Sequence, residues 1–226
     1  MLERSDTQTI GETAYRQIRT DIVFGKLAPG IKLKLERLRA DYGVSVGTLR
    51  ELLSRLVSDG FVVAEGQRGF EVAPVTAQGL REIAELRLLL EQHALTQSFR
   101  FGDMEWEGRI VAAHHKLERM ERKVQSGETS DEETWKRYDF EFHHALISAC
   151  GSETLLASHA PVFDKYLRYL IVAGTYRGEV TEREHRALLK SALDRDAKAA
   201  CETLRIHIEG CVEFTLKTTT SQIIQT

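Results

Sequence analysis

Four residues in the second half of the chain are suited to binding a metal ion: Asp139, His143, His185 and His207. Asp139 and His143 are spaced i and i+4, which places both on one face of a helix. His185 and His207 fall in two further predicted helices, so the four meet only if three helices converge. One carboxylate and three imidazoles suit Zn²⁺ best, with Ni²⁺ and Mn²⁺ as alternatives. Three other interpretations stay open: a surface ion pair between Asp139 and His143, a solvated His185, and a core His207 bonded to a backbone carbonyl.

The remaining histidines give no comparable pattern. His144 follows His143 directly and points about 100° away on a helix. The other four, which we expect to be structural or exposed, are His93, His114, His115 and His159. A metal held by three histidines also resembles hydrolytic and oxygenase sites, so a metal-dependent enzyme acting on small carboxylic acids is an alternative. The sequence has no evident general base, Gly-rich phosphate loop or nucleophile motif, which favours a sensor over an enzyme.

Composition indicates a folded protein that works in a reducing compartment. The chain has 226 residues, of which 42% are hydrophobic and 29% charged. No apolar run approaches the ~18 residues that a membrane span requires, and the N-terminus has no signal-peptide core. Its three cysteines, Cys150, Cys201 and Cys211, show no CxxC spacing, which argues against a disulfide framework or a thiolate zinc site. We therefore expect a cytoplasmic protein with no membrane partner.

The first 75 residues show the pattern of three helices followed by a β-hairpin. Apolar residues recur every four positions in the first helix, and a second short helix follows. The third helix begins at Val46, after the predicted N-cap Ser45. Strand-like segments at 61–63 and 70–72, joined by a glycine-containing turn, predict the hairpin. Together these elements predict a winged helix-turn-helix domain over residues 1–75.

Small and hydroxylated residues at the start of the third helix favour DNA binding. Ser45 and Thr48 can approach phosphates at a helix N-terminus, and Arg50 can reach a guanine edge or a phosphate. Arg68 and Gly69 at the hairpin tip add a second candidate contact. Charge alone is weak support, because residues 1–75 hold 11 Lys/Arg against 10 Asp/Glu. An ordinary helical hairpin with exposed arginines is the open alternative.

Residues 76–226 are predicted to form an all-α bundle. After a short polar linker, the apolar spacing is helical from about Leu80 onwards. The terminal segment TTTSQIIQT shows no amphipathic pattern, so we expect frayed structure there. Beyond the helix that starts near Leu80, helices are predicted over 104–126, 131–149, 152–157, 160–173, 179–194 and 196–217.

The N-terminal residues resemble the winged-helix domain of the GntR family of bacterial transcription regulators. The matching positions are Tyr15, Ile18, Arg19, Ile22, Gly25, Leu27, Pro29, Gly30, Leu35, Leu38, Gly43, Val44, Ser45, Leu49, Arg50, Glu51, Leu53, Leu56, Gly60, Phe61, Arg68 and Gly69. Two positions depart from the family pattern. Val46 stands where the family usually has a DNA-contacting arginine, and Thr48 where it usually has a proline. The resemblance implies operator binding through the contacts that remain.

The C-terminal residues resemble the all-helical ligand-binding domain, called FCD, of the FadR subfamily. The resemblance lies in the segments LREIAELRLLLEQHAL, YDFEFHHALISACGSETL and EHRALLKSALDRDAKAACETLRIHIEG. It implies that Asp139, His143, His185 and His207 bind the metal ion. It also implies that Arg87 faces the pocket, where a guanidinium suits the carboxylate of a small organic acid. The open alternative for Arg87 is an arginine that extends along the surface of its helix.

These patterns predict a mostly α protein that regulates transcription rather than an enzyme. We expect a homodimer, because two recognition helices must reach half-sites about one DNA turn apart. We expect a repressor whose operator affinity is controlled by a small organic acid bound at the metal. A metal-only sensor without an organic ligand is the second alternative.

Overall fold

The computed structural model describes residues 9–66, 69–128 and 131–218, and the chain divides into two units between Val75 and Thr76. The fold is mostly α with a small sheet, which confirms the predicted fold class. The first unit contains α1 (Ile10–Val23), α2 (Leu35–Tyr42), α3 (Val46–Ser58), β1 (Val62–Ala64) and β2 (Phe70–Val72). The second contains α4 (Ala77–Phe101), α5 (Met104–Gln125), α6 (Glu132–Ile147), α7 (Glu153–Val172), α8 (Glu179–Leu193) and α9 (Ala197–Thr218).

Local sequence signals set the helix-turn-helix of the first unit. Gly43 ends α2 in the left-handed conformation at φ 67°, which a residue with a Cβ adopts only with strain. Ser45 then caps α3, because its side chain accepts a hydrogen bond from the Thr48 amide at 3.1 Å. The apolar face of α3 packs into the core of this unit through Leu49, Leu52, Leu53 and Leu56. This packing leaves the opposite face of α3 at the surface.

The two strands form the predicted wing. β1 and β2 pair antiparallel, with Val62 opposite Val72 and Ala64 opposite Phe70. Lys32 adds an isolated antiparallel bridge to Glu71, so the segment before α2 is tied to the hairpin.

The second unit is a bundle in which α4 packs against α6, α7 and α9. α5 packs against α6 and α8, and α8 packs against α9. These contacts bring α6, α8 and α9, which carry the four candidate ligands, around a shared interior. No helix within the described ranges is long and apolar enough to cross a membrane.

One helix prediction is wrong. The sequence predicted two helices, over 152–157 and 160–173, but α7 runs unbroken through Pro161. Proline removes one backbone hydrogen bond and usually ends or kinks a helix. Here buried residues continue on both sides of it, from His159 to Val162 and Phe163, so tertiary packing holds the helix together. The C-terminal segment predicted to fray begins at the edge of the described residues and lies almost wholly outside them.

Candidate metal centre and nucleic-acid interface

The structure brings the four candidate ligands together inside the helical unit. α6 supplies Asp139 and His143, α8 supplies His185, and α9 supplies His207. One ligand atom from each residue lies within 4.8 Å of the other three, and all four residues are buried. A surface ion pair between Asp139 and His143 and a solvated His185 are therefore both wrong, because these side chains are shielded from water.

Each imidazole has a carboxylate at its Nδ1 atom. Such a partner favours the tautomer that is protonated at Nδ1, orients the ring, and leaves Nε2 with a lone pair for a metal ion. His207 follows this pattern, so a side-chain carboxylate rather than a backbone carbonyl satisfies its Nδ1. The separations are 3.2 Å for His143 and Glu91, 2.8 Å for His185 and Glu121, and 2.9 Å for His207 and Glu184.

The unpaired nitrogens of the cluster fit a divalent ion. Within the described part of the chain, His143 Nε2 and His185 Nε2 are buried without a hydrogen-bond partner. An unsatisfied buried polar group costs about 1–3 kcal/mol, so a ligand for these atoms stabilises the fold. His185 Nε2 lies 3.4 Å from Asp139 Oδ1. At metal–ligand bonds of about 2.1 Å, neighbouring ligand atoms lie about 3–4 Å apart, so a small inward shift of the four groups is sufficient.

Burial and neighbouring charges set the pKa values of the cluster. Burial lowers the pKa of His207 to about 3, which keeps this imidazole neutral, as a metal ligand must be. For His185 burial acts in the same direction, but the carboxylates of Asp139 and Glu121 outweigh it and raise its pKa to about 9. His185 is therefore protonated in the metal-free cluster, and an ion binds its Nε2 by displacing that proton. Burial of Asp139 opposes ionisation, yet nearby His185 and Lys136 hold its pKa well below the usual range. Asp139 is therefore a carboxylate, ready to bind a cation.

Arg87, the predicted effector ligand, is fully enclosed beside the cluster. Its guanidinium Nε lies 2.7 Å from Glu91 Oε1, and both side chains are 1% exposed. The guanidinium carbon also lies 4.3 Å from the centre of the Phe163 ring and 4.6 Å from that of Tyr166. The alternative of an arginine extending along the surface is therefore wrong. Arg87 faces the interior, where Glu91 pairs with it.

Several residues around the cluster were not predicted from the sequence. Glu121 gave no signal, because a glutamate on a charged helix is ordinary. Glu184 precedes His185 in sequence yet bonds His207 on another helix. His159 is fully buried, and its Nε2 lies 2.7 Å from Glu91 Oε1. Only the i, i+4 spacing of Arg87 and Glu91 offered a signal for any of these contacts.

Three of the five predicted DNA-contacting residues lie at the start of α3. Ser45 and Arg50 are exposed and Thr48 is half-buried. Within the described residues, the Arg50 guanidinium has no ion pair or hydrogen bond, so it is available to a ligand. Gly69, at φ 101°, directly precedes β2 of the wing. Arg68 lies outside the described residues.

Comparison with known families matches both units. The family model for bacterial regulatory proteins of the gntR family matches residues 10–72, and the model for the FCD domain matches residues 82–210. Together they cover both the winged unit and the helical bundle. Proteins of this kind are transcription regulators rather than enzymes, which excludes the metal-dependent enzyme considered as an alternative.

Individual relatives match along most of the chain. The HTH-type transcriptional regulator BphR of Paraburkholderia xenovorans is 37% identical over 211 residues, covering 92% of this chain and 86% of BphR. The HTH-type transcriptional repressor GlaR of Escherichia coli is 32% identical over 200 residues, covering 86% of this chain and 90% of GlaR. Among solved structures, that of McbR/YncC from E. coli has a TM-score of 0.76 at 19% identity, covering 92% of this chain and 98% of McbR/YncC. That likeness shows a shared fold.

Proposed function

The chain belongs to the GntR family of bacterial transcription regulators and carries an FCD domain, and on this basis we propose that a small organic acid bound at a metal ion controls its affinity for operator DNA. The observation that carries the proposal is the buried group of Asp139, His143, His185 and His207. Three imidazoles with carboxylates at Nδ1 point to a cation as their common ligand. A DNA-binding domain joined to a domain with a cation site is typical of a sensor that regulates transcription.

Zn²⁺ is the ion that we propose for the site. Three neutral imidazoles and one carboxylate match its preferred nitrogen and oxygen ligands, and Ni²⁺ and Mn²⁺ are the alternatives. When bound, the ion supplies a Lewis-acid position that accepts a carboxylate oxygen in place of water. Asp139 and the three histidines would hold the ion, and their carboxylate partners would keep the rings aligned.

The guanidinium of Arg87 supports an anionic effector. Arg87 is buried beside the cluster, and a guanidinium offers paired donors that match a carboxylate. An organic acid bound at the ion would therefore have a second partner in Arg87.

DNA contact is proposed for the exposed start of α3 and for the wing. Arg50 would reach a base edge or a phosphate, while Ser45 and Thr48 would contact the backbone. Arg68 and Gly69 remain the predicted wing contacts. Because Val46 replaces the family arginine, Arg50 carries a larger share of recognition in this chain.

We infer that the working form is a homodimer that represses transcription. Two copies of α3 would read two half-sites about one helical turn apart. Sedimentation equilibrium tests the homodimer, with an expected mass twice the 25.6 kDa of one chain. A single-chain mass at micromolar concentration would contradict the dimer. Effector binding would favour one arrangement of the dimer and change operator affinity by a coupling free energy of about 1–3 kcal/mol.

A thermal-shift screen tests the proposed effector class. Zinc-loaded protein is mixed with weakly chelating acids such as lactate, pyruvate and benzoate. At 100 times its Kd, an acid that binds only the folded protein adds about 2.7 kcal/mol of stability, which raises the midpoint by several degrees. Stripping the metal beforehand should abolish the gain. If the acid still raises the unfolding midpoint after the metal has been removed, the acid binds at a site other than the metal.

One observation favours the second candidate, a metal-only sensor. Glu91 already pairs with the guanidinium of Arg87 at 2.7 Å, so the structure contains an internal partner for the proposed effector arginine. In that case metal alone would change operator affinity, and none of the acids would alter it further.

A further inference from the structure

We propose that Glu91 is a positioning residue that couples Arg87 to the metal site, so that loss of charge at Arg87 changes metal affinity through His143. This inference rests on the proposed function, because it assigns a role to Glu91 toward a bound ion. Its basis is that one carboxylate contacts both the predicted effector arginine and a predicted metal ligand.

The carboxylate of Glu91 is surrounded by three donors from three helices. Its Oε1 lies 2.7 Å from Arg87 Nε and 2.7 Å from His159 Nε2. Its Oε2 lies 3.2 Å from His143 Nδ1 and 3.4 Å from Arg87 Nη2. Glu91 is 1% exposed, so water does not compete for these bonds. Arg87 therefore shares Oε2 with His143.

This shared oxygen makes the two bonds interdependent. Two donors that share one acceptor oxygen compete for it, so a charged guanidinium that draws electron density from Oε2 weakens the bond from the oxygen to the imidazole. If the charge of Arg87 is removed or bonded elsewhere, Glu91 bonds His143 more strongly. A stronger bond at Nδ1 makes Nε2 a better metal ligand, as carboxylate partners do in other histidine–metal sites.

The surroundings of Arg87 favour this route over a movement of the side chain. The rings of Phe163 and Tyr166 lie against the guanidinium at 4.3 and 4.6 Å, so the group is held in place. An acid at the site would act on its charge and bonds rather than its position. By linkage, an acid that binds Arg87 and strengthens metal binding is itself bound more tightly when the metal is present.

A mutant cycle measured with zinc alone tests the coupling. Zinc Kd is determined by competition with a fluorescent chelator for the unmodified full-length protein, Arg87→Gln, Glu91→Gln and the double variant. Gln at position 87 keeps donor groups but removes the charge. We expect Glu91→Gln to weaken zinc binding about 10–100-fold. We expect Arg87→Gln to strengthen it several-fold in the unmodified background and by less than twofold when Glu91 is Gln.

Glu121→Gln is the matched control, because Glu121 bonds the ligand His185 and has no contact with Arg87 among the described residues. In that background Arg87→Gln should still strengthen zinc binding several-fold. An equal effect of Arg87→Gln with and without Glu91 would overturn the proposal, since it would mean that the arginine acts directly on the ion through space.

A second measurement keeps the proposal testable if Glu91→Gln fails to fold. In zinc-loaded protein the Nδ1 resonance of His143 is followed by nitrogen-15 NMR in the unmodified protein, in Arg87→Gln, which removes the charge, and in Arg87→Lys, which keeps it. The His143 resonance should shift in Arg87→Gln and much less in Arg87→Lys, while that of His185 should stay in place; an unmoved His143 resonance in Arg87→Gln overturns the coupling. If the unmodified protein binds no zinc, the proposed function fails as well. If it binds zinc but the cycle is additive, only the role of Glu91 fails.

Discussion

Replacing His185 and His207 together by alanine is expected to abolish stoichiometric zinc binding. Both side chains belong to the buried four-residue group, and two of its four ligands are then missing. Losing one outer carboxylate partner typically costs 10–100-fold in metal affinity, so the loss of two direct ligands should exceed about 100-fold. Elemental analysis after zinc loading and desalting should show about one zinc per unmodified chain and almost none in the variant.

The matched control replaces two exposed histidines, His93 and His115, by alanine. That variant should keep its full zinc content, because neither residue belongs to the buried group. The double ligand variant leaves the carboxylates of Glu121 and Glu184 without their imidazole partners, so its folding is checked by circular dichroism. Full zinc content in a folded His185→Ala/His207→Ala protein would place the site elsewhere.

Arg50→Ala should produce the largest loss of operator affinity of any single change in α3. The guanidinium is exposed and has no ion pair or hydrogen bond within the described residues, so its removal should not disturb the fold. One base or phosphate contact is worth about 1–3 kcal/mol, and a dimer loses two such contacts. The expected loss is therefore about 2–6 kcal/mol per operator, measured by fluorescence anisotropy with labelled operator DNA.

The salt dependence of binding identifies the partner of Arg50. If Arg50 contacts a phosphate, each copy lost should reduce the slope of log K against log salt by about one. If it contacts a guanine, the slope changes less and discrimination at that base pair relaxes. Arg109→Ala, an exposed arginine of the second unit, should change neither quantity. Unchanged operator binding by Arg50→Ala across salt concentrations would show that the recognition assignment is wrong.

The winged unit was predictable because its signals are local. The N-cap Ser45, the left-handed Gly43 and the leucines of α3 each act within a few residues, and the structure places them as expected. Pro161 shows the limit of such signals. Its local preference predicts a helix break, but burial of residues on either side in the tertiary structure keeps α7 continuous.

Residue types and spacing made the four ligands candidates, but the expectation that they converge on one ion came from the family resemblance. Spacing places Asp139 and His143 on one helix face but contains no information on whether α8 and α9 pack against it. The carboxylates that bond the histidine rings were harder still to predict from the sequence. Glu184 bonds a histidine of α9 rather than its own neighbour, His185. Such contacts depend on helix rotation and packing, which residue types alone do not determine.

The most direct test of the metal site is an anomalous difference map from a zinc-loaded crystal, recorded at the zinc absorption edge. We expect one strong peak per chain, about 2.0–2.2 Å from the Nε2 atoms of the three histidines and from an oxygen of Asp139. A map without a peak between these four side chains, or with the zinc bound at another position, would contradict it.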